Sequence, residues 1–245
     1  MTCFFRCVRH VHVAASALKK PNRFYKVSLF VFTSVKKIES KPLAYAVCQE
    51  WNAQDKVIRL DRMLLTKLSF TVLDNPLLLK NNVIDNIMKY LDTDTILYLC
   101  GENEKLKELQ KCHWGPILHW SNACFLFILH CRFLVKIFCL VAEISDESRE
   151  HIRHALNGYN FPALVGIEFA VESVKSLLLV LAALSCRISI KDCADFALLE
   201  QRFQTDVWGK VEWAHDVEFE EIVSRLSAGV LFAYFMSNVF HSRNM

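Results

Sequence analysis

The sequence predicts an α+β fold that is predominantly α, on three observations. The 245 residues are 53% hydrophobic but include only six glycines and five prolines, too few turn-makers for many short strands and too apolar for disorder. Apolar residues recur at helical spacing over most of the chain. The prolines, serines and glycines stand where helices start and stop. A chain of this length buries a sizeable core in one large domain or two small ones.

Taken in order, Leu43–Trp51 reads as a short helix after Pro42, and Leu60–Leu73 as a second closed by Asp74-Asn75-Pro76. Asn82–Leu91 follows, then an Asp92-Thr93-Asp94-Thr95 turn and a short strand, Ile96–Cys100. Glu104–Trp120 looks helical with an interruption at Gly115-Pro116. Ser145 caps a helix to Leu156, with Asp146 and Glu147 in its first turn. Pro162 opens a long helix to about Leu184. Ser189 caps the next, to about Val207, before Gly209, and the last runs from Glu212 to Met236. There are no internal repeats.

The net charge of +3 hides an asymmetry: residues 1–38 carry eight Lys or Arg and no acid, leaving the rest at −5. An acidic body offers no footprint for nucleic acid. Residues 1–23, with Arg6, Arg9, Lys19, Lys20 and Arg23 among apolar residues, read as a mitochondrial transit peptide; a disordered basic tail is the plainer reading. The ten cysteines include no C-x-x-C pair, and His151 and His154, which could share a helix face, have no third ligand nearby in sequence, so most cysteines read as small buried hydrophobes in a reducing compartment, and no metal is expected. Residues 123–142 are apolar except for His130, Arg132 and Lys136. Each of the two central charges costs about 2.5–3.5 kcal/mol to insert, and the longest uninterrupted run falls far short of the ~20 residues a span needs. A buried segment is favoured over a membrane anchor.

Two helices stand out. In Phe161–Leu184, Glu168, Glu172, Lys175 and Ser176 form a narrow polar stripe, which marks a nearly engulfed central helix. In Ile190–Val207, Lys191, Asp192, Asp195, Arg202 and Asp206 share one face, while Ile190, Cys193, Phe196, Ala197 and Val207 gather on the other, with Glu200 in their midst. A carboxylate buried there without a partner is costly. Either it is satisfied internally, by Arg187, Arg225 or a backbone amide, or the face is partly open and meets another protein. Asp206–Glu221 then sets six carboxylates against Lys210, interleaved with Trp208, Trp213 and Phe219. Such a surface suits protein recognition, unless the tryptophans tuck into the core. There is no P-loop, G-x-G-x-x-G, G-x-S-x-G or H-E-x-x-H. The carboxylate pairs Glu212/Asp216 and Glu218/Glu221 are routine on exposed helices.

The run Trp208-Gly209-Lys210-Val211-Glu212-Trp213-Ala214-His215-Asp216, eight residues after Leu199-Glu200, resembles the C-terminal signature of the ATP synthase α-subunit assembly chaperones. Further similarities keep the family's order: Phe24-Tyr25-Lys26 with Val27-Ser28, Leu43-Ala44-Tyr45-Ala46-Val47 leading to Glu50-Trp51, Leu65-Thr66, Leu73-Asp74, and Tyr90-Leu91-Asp92-Thr93-Asp94-Thr95. Leu109-Gln110 with Trp114, Pro116 and Trp120, and Gly166-Ile167-Glu168, complete the set. Two stretches depart from the pattern. Only Leu29–Pro42 stands where the family has most of a β-rich domain, and Asn122–Val141 replaces a more polar segment.

The resemblance implies a multi-helix C-terminal domain behind a truncated, β-containing N-terminal piece, organised as 1–23 transit peptide, 24–56 residual N-terminal domain and 57–240 helical chaperone domain. It implies a mitochondrial matrix chaperone, monomeric when free, that covers apolar surface of the α subunit until it pairs with β, without cofactor or turnover. The family's functionally important glutamate falls on Glu200, and Trp208, Trp213 and Asp216 join it as partner-binding residues. The competing functions are a membrane-attached structural protein anchored by 123–142 and an enzyme using Glu200.

Overall fold

The computed structural model describes residues 38, 40–55, 57–75, 77, 79–125, 134–136, 139–141 and 144–237. Among them are ten α-helices and three short strands, a predominantly α architecture as the sequence predicts. They fall into two compact units, up to residue 76 and from 77 onward. Residues 1–23 and 24–37, read above as transit peptide and as the start of the N-terminal piece, lie outside the described residues.

In the first unit, Pro42 occupies the opening turn of α1 (Lys41–Asn52), where its missing N–H has no intrahelical role. A 3₁₀ turn, Leu60–Arg62, leads into α2 (Leu64–Asp74), whose N-cap Met63 provides no side-chain acceptor. Glu50 of α1 supplies it instead. One carboxylate oxygen accepts the Leu65 N–H at 2.8 Å, and the other accepts the Thr66 N–H at 2.8 Å and its hydroxyl at 2.7 Å. The negative charge sits on the donors left open at a helix start, where the helix dipole favours it.

The second unit is built around α6 (Phe161–Val174), opened by Asn160, whose Oδ1 accepts the Ala163 N–H at 2.9 Å. Nine of its fourteen residues are buried, which bears out the engulfed helix inferred from its narrow polar stripe. Helices α3 (Lys80–Asp92) and α10 (Ala214–Met236) pack on it. The α6–α10 crossing is close because two glycines face each other. A Cβ on Gly229 would lie 2.7 Å from the Gly166 carbonyl oxygen, and one on Gly166 would lie 2.8 Å from the Ala233 nitrogen. In α3, Val83, Ile84, Ile87, Met88 and Leu91 form the buried stripe. Helix α5 (Asp146–Asn157) is capped by Ser145, as expected, with Ile152 and Leu156 fully buried.

Three expectations are corrected. The long helix to Leu184 is two helices, α6 and α7 (Leu177–Leu184), separated by Lys175 at φ 59°. The break is held by buried Asp94, which accepts the Leu178 N–H at 3.0 Å and the Ile96 N–H at 3.3 Å, while Ser176 caps Leu179 at 3.1 Å. Conversely, α4 (Glu104–Phe125) runs through Gly115-Pro116 unbroken. Pro116 and Cys112, whose carbonyl loses its helical donor, are both exposed, so the irregularity lies on the solvent side while Leu106, Trp114 and Ile117 anchor the opposite face. Third, most described cysteines are not buried: Cys193 is, but Cys112, Cys124 and Cys186 are exposed. Cys186 stands in a turn at φ 54° and Cys112 on the outer face of α4. Burial pushes the Cys193 thiol up to about 12, an inert core thiol.

The predicted strand begins two residues later than expected. Thr95–Leu97 forms a 3₁₀ turn and β1 spans Tyr98–Cys100. It pairs antiparallel with β3 (Cys139–Val141), which pairs with β2 (Leu134–Lys136), in the order β1-β3-β2. Among the described residues no helix is long and apolar enough to cross a membrane; much of 123–142 lies outside them.

Candidate functional site

The Ile190–Val207 helix of the sequence reading is interrupted at Leu198, giving α8 (Ile190–Ala197) and α9 (Leu199–Trp208). The interruption changes the wheel on which Val207 joined the apolar face with Cys193. Cys193 is fully buried, whereas Val207 is 60% exposed. The solvent face survives in part: Lys191, Asp192, Arg202 and Asp206 are exposed, while Asp195 is half-buried and pairs with Arg202 across the break.

Glu200 lies in the first turn of α9 and is half-buried. Its described partner is neither Arg187, Arg225 nor a backbone amide but the side chain of Gln110 on α4, whose Nε2 donates to Glu200 Oε1 at 2.7 Å. Gln110 is fully buried, and its other end accepts the Cys100 N–H of β1 at 2.8 Å. Burial raises the Glu200 carboxyl above the ordinary range, and the Gln110 hydrogen bond offsets part of that rise. One turn along α4, Trp114 Nε1 donates to the Phe196 carbonyl at 3.0 Å, and the His113 ring packs tilted against the Phe196 ring, 5.1 Å between centroids. These contacts hold the α8–α9 junction on α4.

Eight residues beyond Glu200, about 12 Å along the helix axis, α9 ends at an apolar surface. Trp208 and Trp213 are each 79% exposed, and Val207, Val211 and Val217 are each about 60% exposed. The alternative in which these tryptophans enter the core is thereby overturned. Leu226, Ala228, Phe232 and Ala233 of α10, not the turn, fill the core. The turn is specified locally. Gly209 takes φ 92° and Trp213 φ 69°, the Lys210 ammonium pairs with Asp216, and the Val211 N–H donates to His215 Nδ1 at 3.3 Å. Gln201 reaches Glu218 at 2.7 Å, and the Arg202 guanidinium lies 5.0 Å over the Phe219 ring. A shallow open groove lined by Gln201, Gln204, Thr205, Trp208, Gly209 and His215 runs along this end of α9.

Glu200 and Trp208 thus share one helix, Trp213 follows across the braced turn, and Asp216 is engaged in bracing it. Sequence reasoning singled out all four but missed Gln110 as the partner of Glu200, because the two are ninety residues apart. It also missed Val211 and Val217 as exposed apolar residues, although their place among six carboxylates was a signal. Among the described residues no three His, Cys, Asp or Glu side chains gather as a metal site would require.

Residues 31–122 match the ATP12 chaperone protein family. The chain is 26% identical over 201 residues to the mitochondrial protein atp12 of Schizosaccharomyces pombe, an alignment covering 79% of this chain and 68% of that one. Its fold is that of Atp12 from Paracoccus denitrificans, with a TM-score of 0.72 at 20% identity, covering 82% of this chain and 84% of the other. The Atu1473 protein of Agrobacterium tumefaciens shares the fold at a TM-score of 0.67 and 21% identity, over 81% and 72% of the two chains. Family match, mitochondrial relative and shared fold all point to the family whose motifs the sequence carries in order, and this chain is similar to the ATP12 chaperone proteins.

Proposed function

We propose that this assembly chaperone takes the free α subunit of ATP synthase as its client in the mitochondrial matrix, working without cofactor or turnover, and that Glu200, Trp208, Trp213 and Asp216 belong to the surface that meets it. The observation that carries this reading is the pair of tryptophans held in water on a braced turn. Five large apolar side chains between Val207 and Val217, each 59% exposed or more, cost free energy unless something covers them. Tryptophan anchors dominate interface energies. Around them Asp206, Glu212, Asp216, Glu218, Glu220 and Glu221 form an acidic rim, suited to a client whose apolar face is flanked by basic groups. Glu200 offers a polar contact within reach of the same client.

The test uses purified full-length chain and aggregation-prone α subunit. Glu200→Gln and a Trp208→Ser/Trp213→Ser double variant are expected to keep their melting temperature, because no described ion pair is broken and no core side chain is removed. Each is expected to lose protection of α. Stable variants with undiminished protection would reject this surface as the client site, and failure of the parent chain to protect α would reject the client itself.

A further inference from the structure

The buried amide of Gln110 is held by two bonds of opposite polarity. A backbone N–H can only donate, so the Cys100 N–H at 2.8 Å fixes Gln110 Oε1 toward β1. The NH₂ end must then point to Glu200, where it donates to Oε1 at 2.7 Å. Because Gln110 is fully buried, it cannot turn over without leaving two polar groups unpaired. A neutral donor favours the ionised carboxylate without neutralising it, unlike an arginine. The second oxygen, Oε2, has no hydrogen-bond partner among the described residues, and Glu200 itself is half-buried at the start of α9.

We propose that Gln110 is a positioning residue for Glu200: through its bond to the Cys100 backbone it holds one carboxylate oxygen and leaves the other, still charged, for a hydrogen-bond donor on the client, of the guanidinium or ammonium class. The proposal deepens the client-surface reading above and rests on it. The pull of the amide opposes the rise that burial imposes on the Glu200 carboxyl. Several other charged or titratable groups on the packed elements have partners of their own. Lys107 pairs with Glu104 and Asp195 with Arg202, His113 packs against Phe196, and burial and Gln110 are the two influences on the Glu200 carboxyl.

The experiment is a carboxyl-carbon NMR titration of the full chain, with Glu200 assigned by the signal missing in Glu200→Gln, followed by α-subunit protection measured across the same pH range. In Gln110→Met the donor is lost and burial remains, so the Glu200 titration should move upward from the parent's. Gln110→Glu keeps the acceptor for Cys100 and therefore serves if the methionine variant does not fold. It sets two carboxyls against each other, so they should titrate in two separated steps sharing one proton. Protection of α by this variant should fall as pH rises through the upper step, while the parent stays flat. A Glu200 titration in folded Gln110→Met that superimposes on the parent would overturn the proposal. So would Gln110→Glu with ordinary single steps and full protection at every pH. Glu200→Gln that still protects α would sink the client-surface reading instead, leaving the titration to report on Gln110 alone.

Discussion

Replacing glycine by alanine should have opposite signs at different places in this molecule, and the structure supplies the magnitudes. At Gly229 the new methyl would meet the Gly166 carbonyl oxygen at 2.7 Å, and the Ala170 Cβ and nitrogen each at 2.9 Å. At Gly166 it would meet the Ala233 nitrogen and the Gly229 carbonyl oxygen, both at 2.8 Å. These obstacles are mostly helix backbone, so relief requires α6 and α10 to separate by about half an ångström. A gap of that size forfeits a quarter or more of the dispersion energy of each contact it opens, and overpacking of this kind costs about 1–3 kcal/mol or more. Alanine returns roughly 1 kcal/mol of helix propensity. With contacts this short the overpacking cost falls at the upper end of that range, so the expected net loss is about 2 kcal/mol at either site, or a fall of some 4–8 °C in Tm at about 2–4 °C per kcal/mol for a domain of this size. Gly115, in the middle of α4, meets no other element within 4 Å of a Cβ, but it precedes Pro116, whose Cδ crowds a Cβ on the residue before it, so Gly115→Ala should gain only part of the propensity and raise Tm by no more than ~2–4 °C. Thermal melting of the three full-length variants beside the parent measures this. Equal shifts in all three, or a neutral Gly229→Ala, would refute the close crossing.

Three other tests follow, two from the described contacts and one from the sequence. Burial raises the Asp94 carboxyl from 3.8 to about 6, outweighing the hydrogen bonds that it accepts. The folded state therefore holds a proton that the unfolded chain has released, and stability falls as pH rises across that window, by about 3 kcal/mol in total; urea unfolding of Asp94→Asn from pH 4 to 7 should lack this component, and a slope equal to the parent's would contradict it. Glu50→Ala removes the substitute cap of α2 and should cost about 1–2 kcal/mol, visible as a lowered urea midpoint. If residues 1–23 direct import, a reporter fused after Lys26 should reach mitochondria, and changing Arg6, Arg9, Lys19 and Lys20 to Glu should leave it in the cytosol; unaltered import would reject the transit peptide.

Helix starts were largely legible because their signals are local. Pro42, Ser145, Pro162 and Ser189 each sit within a residue or two of the observed boundary. The narrow polar edge of Phe161–Leu184 also sufficed to name the central helical stretch, since a single turn-by-turn pattern records how much of a helix is covered. The breaks at Lys175 and Leu198 were not legible. Each stretch is locally compatible with one long helix, and the first is decided by Asp94, more than eighty residues away, which takes the Leu178 N–H. The same holds at the site. Helical periodicity singled out Glu200, and the resemblance placed it with Trp208, Trp213 and Asp216 among candidate contacts, but a hydrophobic pattern cannot say whether a tryptophan is inside or out. Only the packing of α10 through Leu226, Gly229 and Phe232 leaves the turn at the surface, and only the approach of α4 to α9 gives Glu200 its Gln110. Periodicity belongs to a segment and is written in its own residues; burial, and the partner of a half-buried charge, belong to whatever the rest of the chain brings alongside.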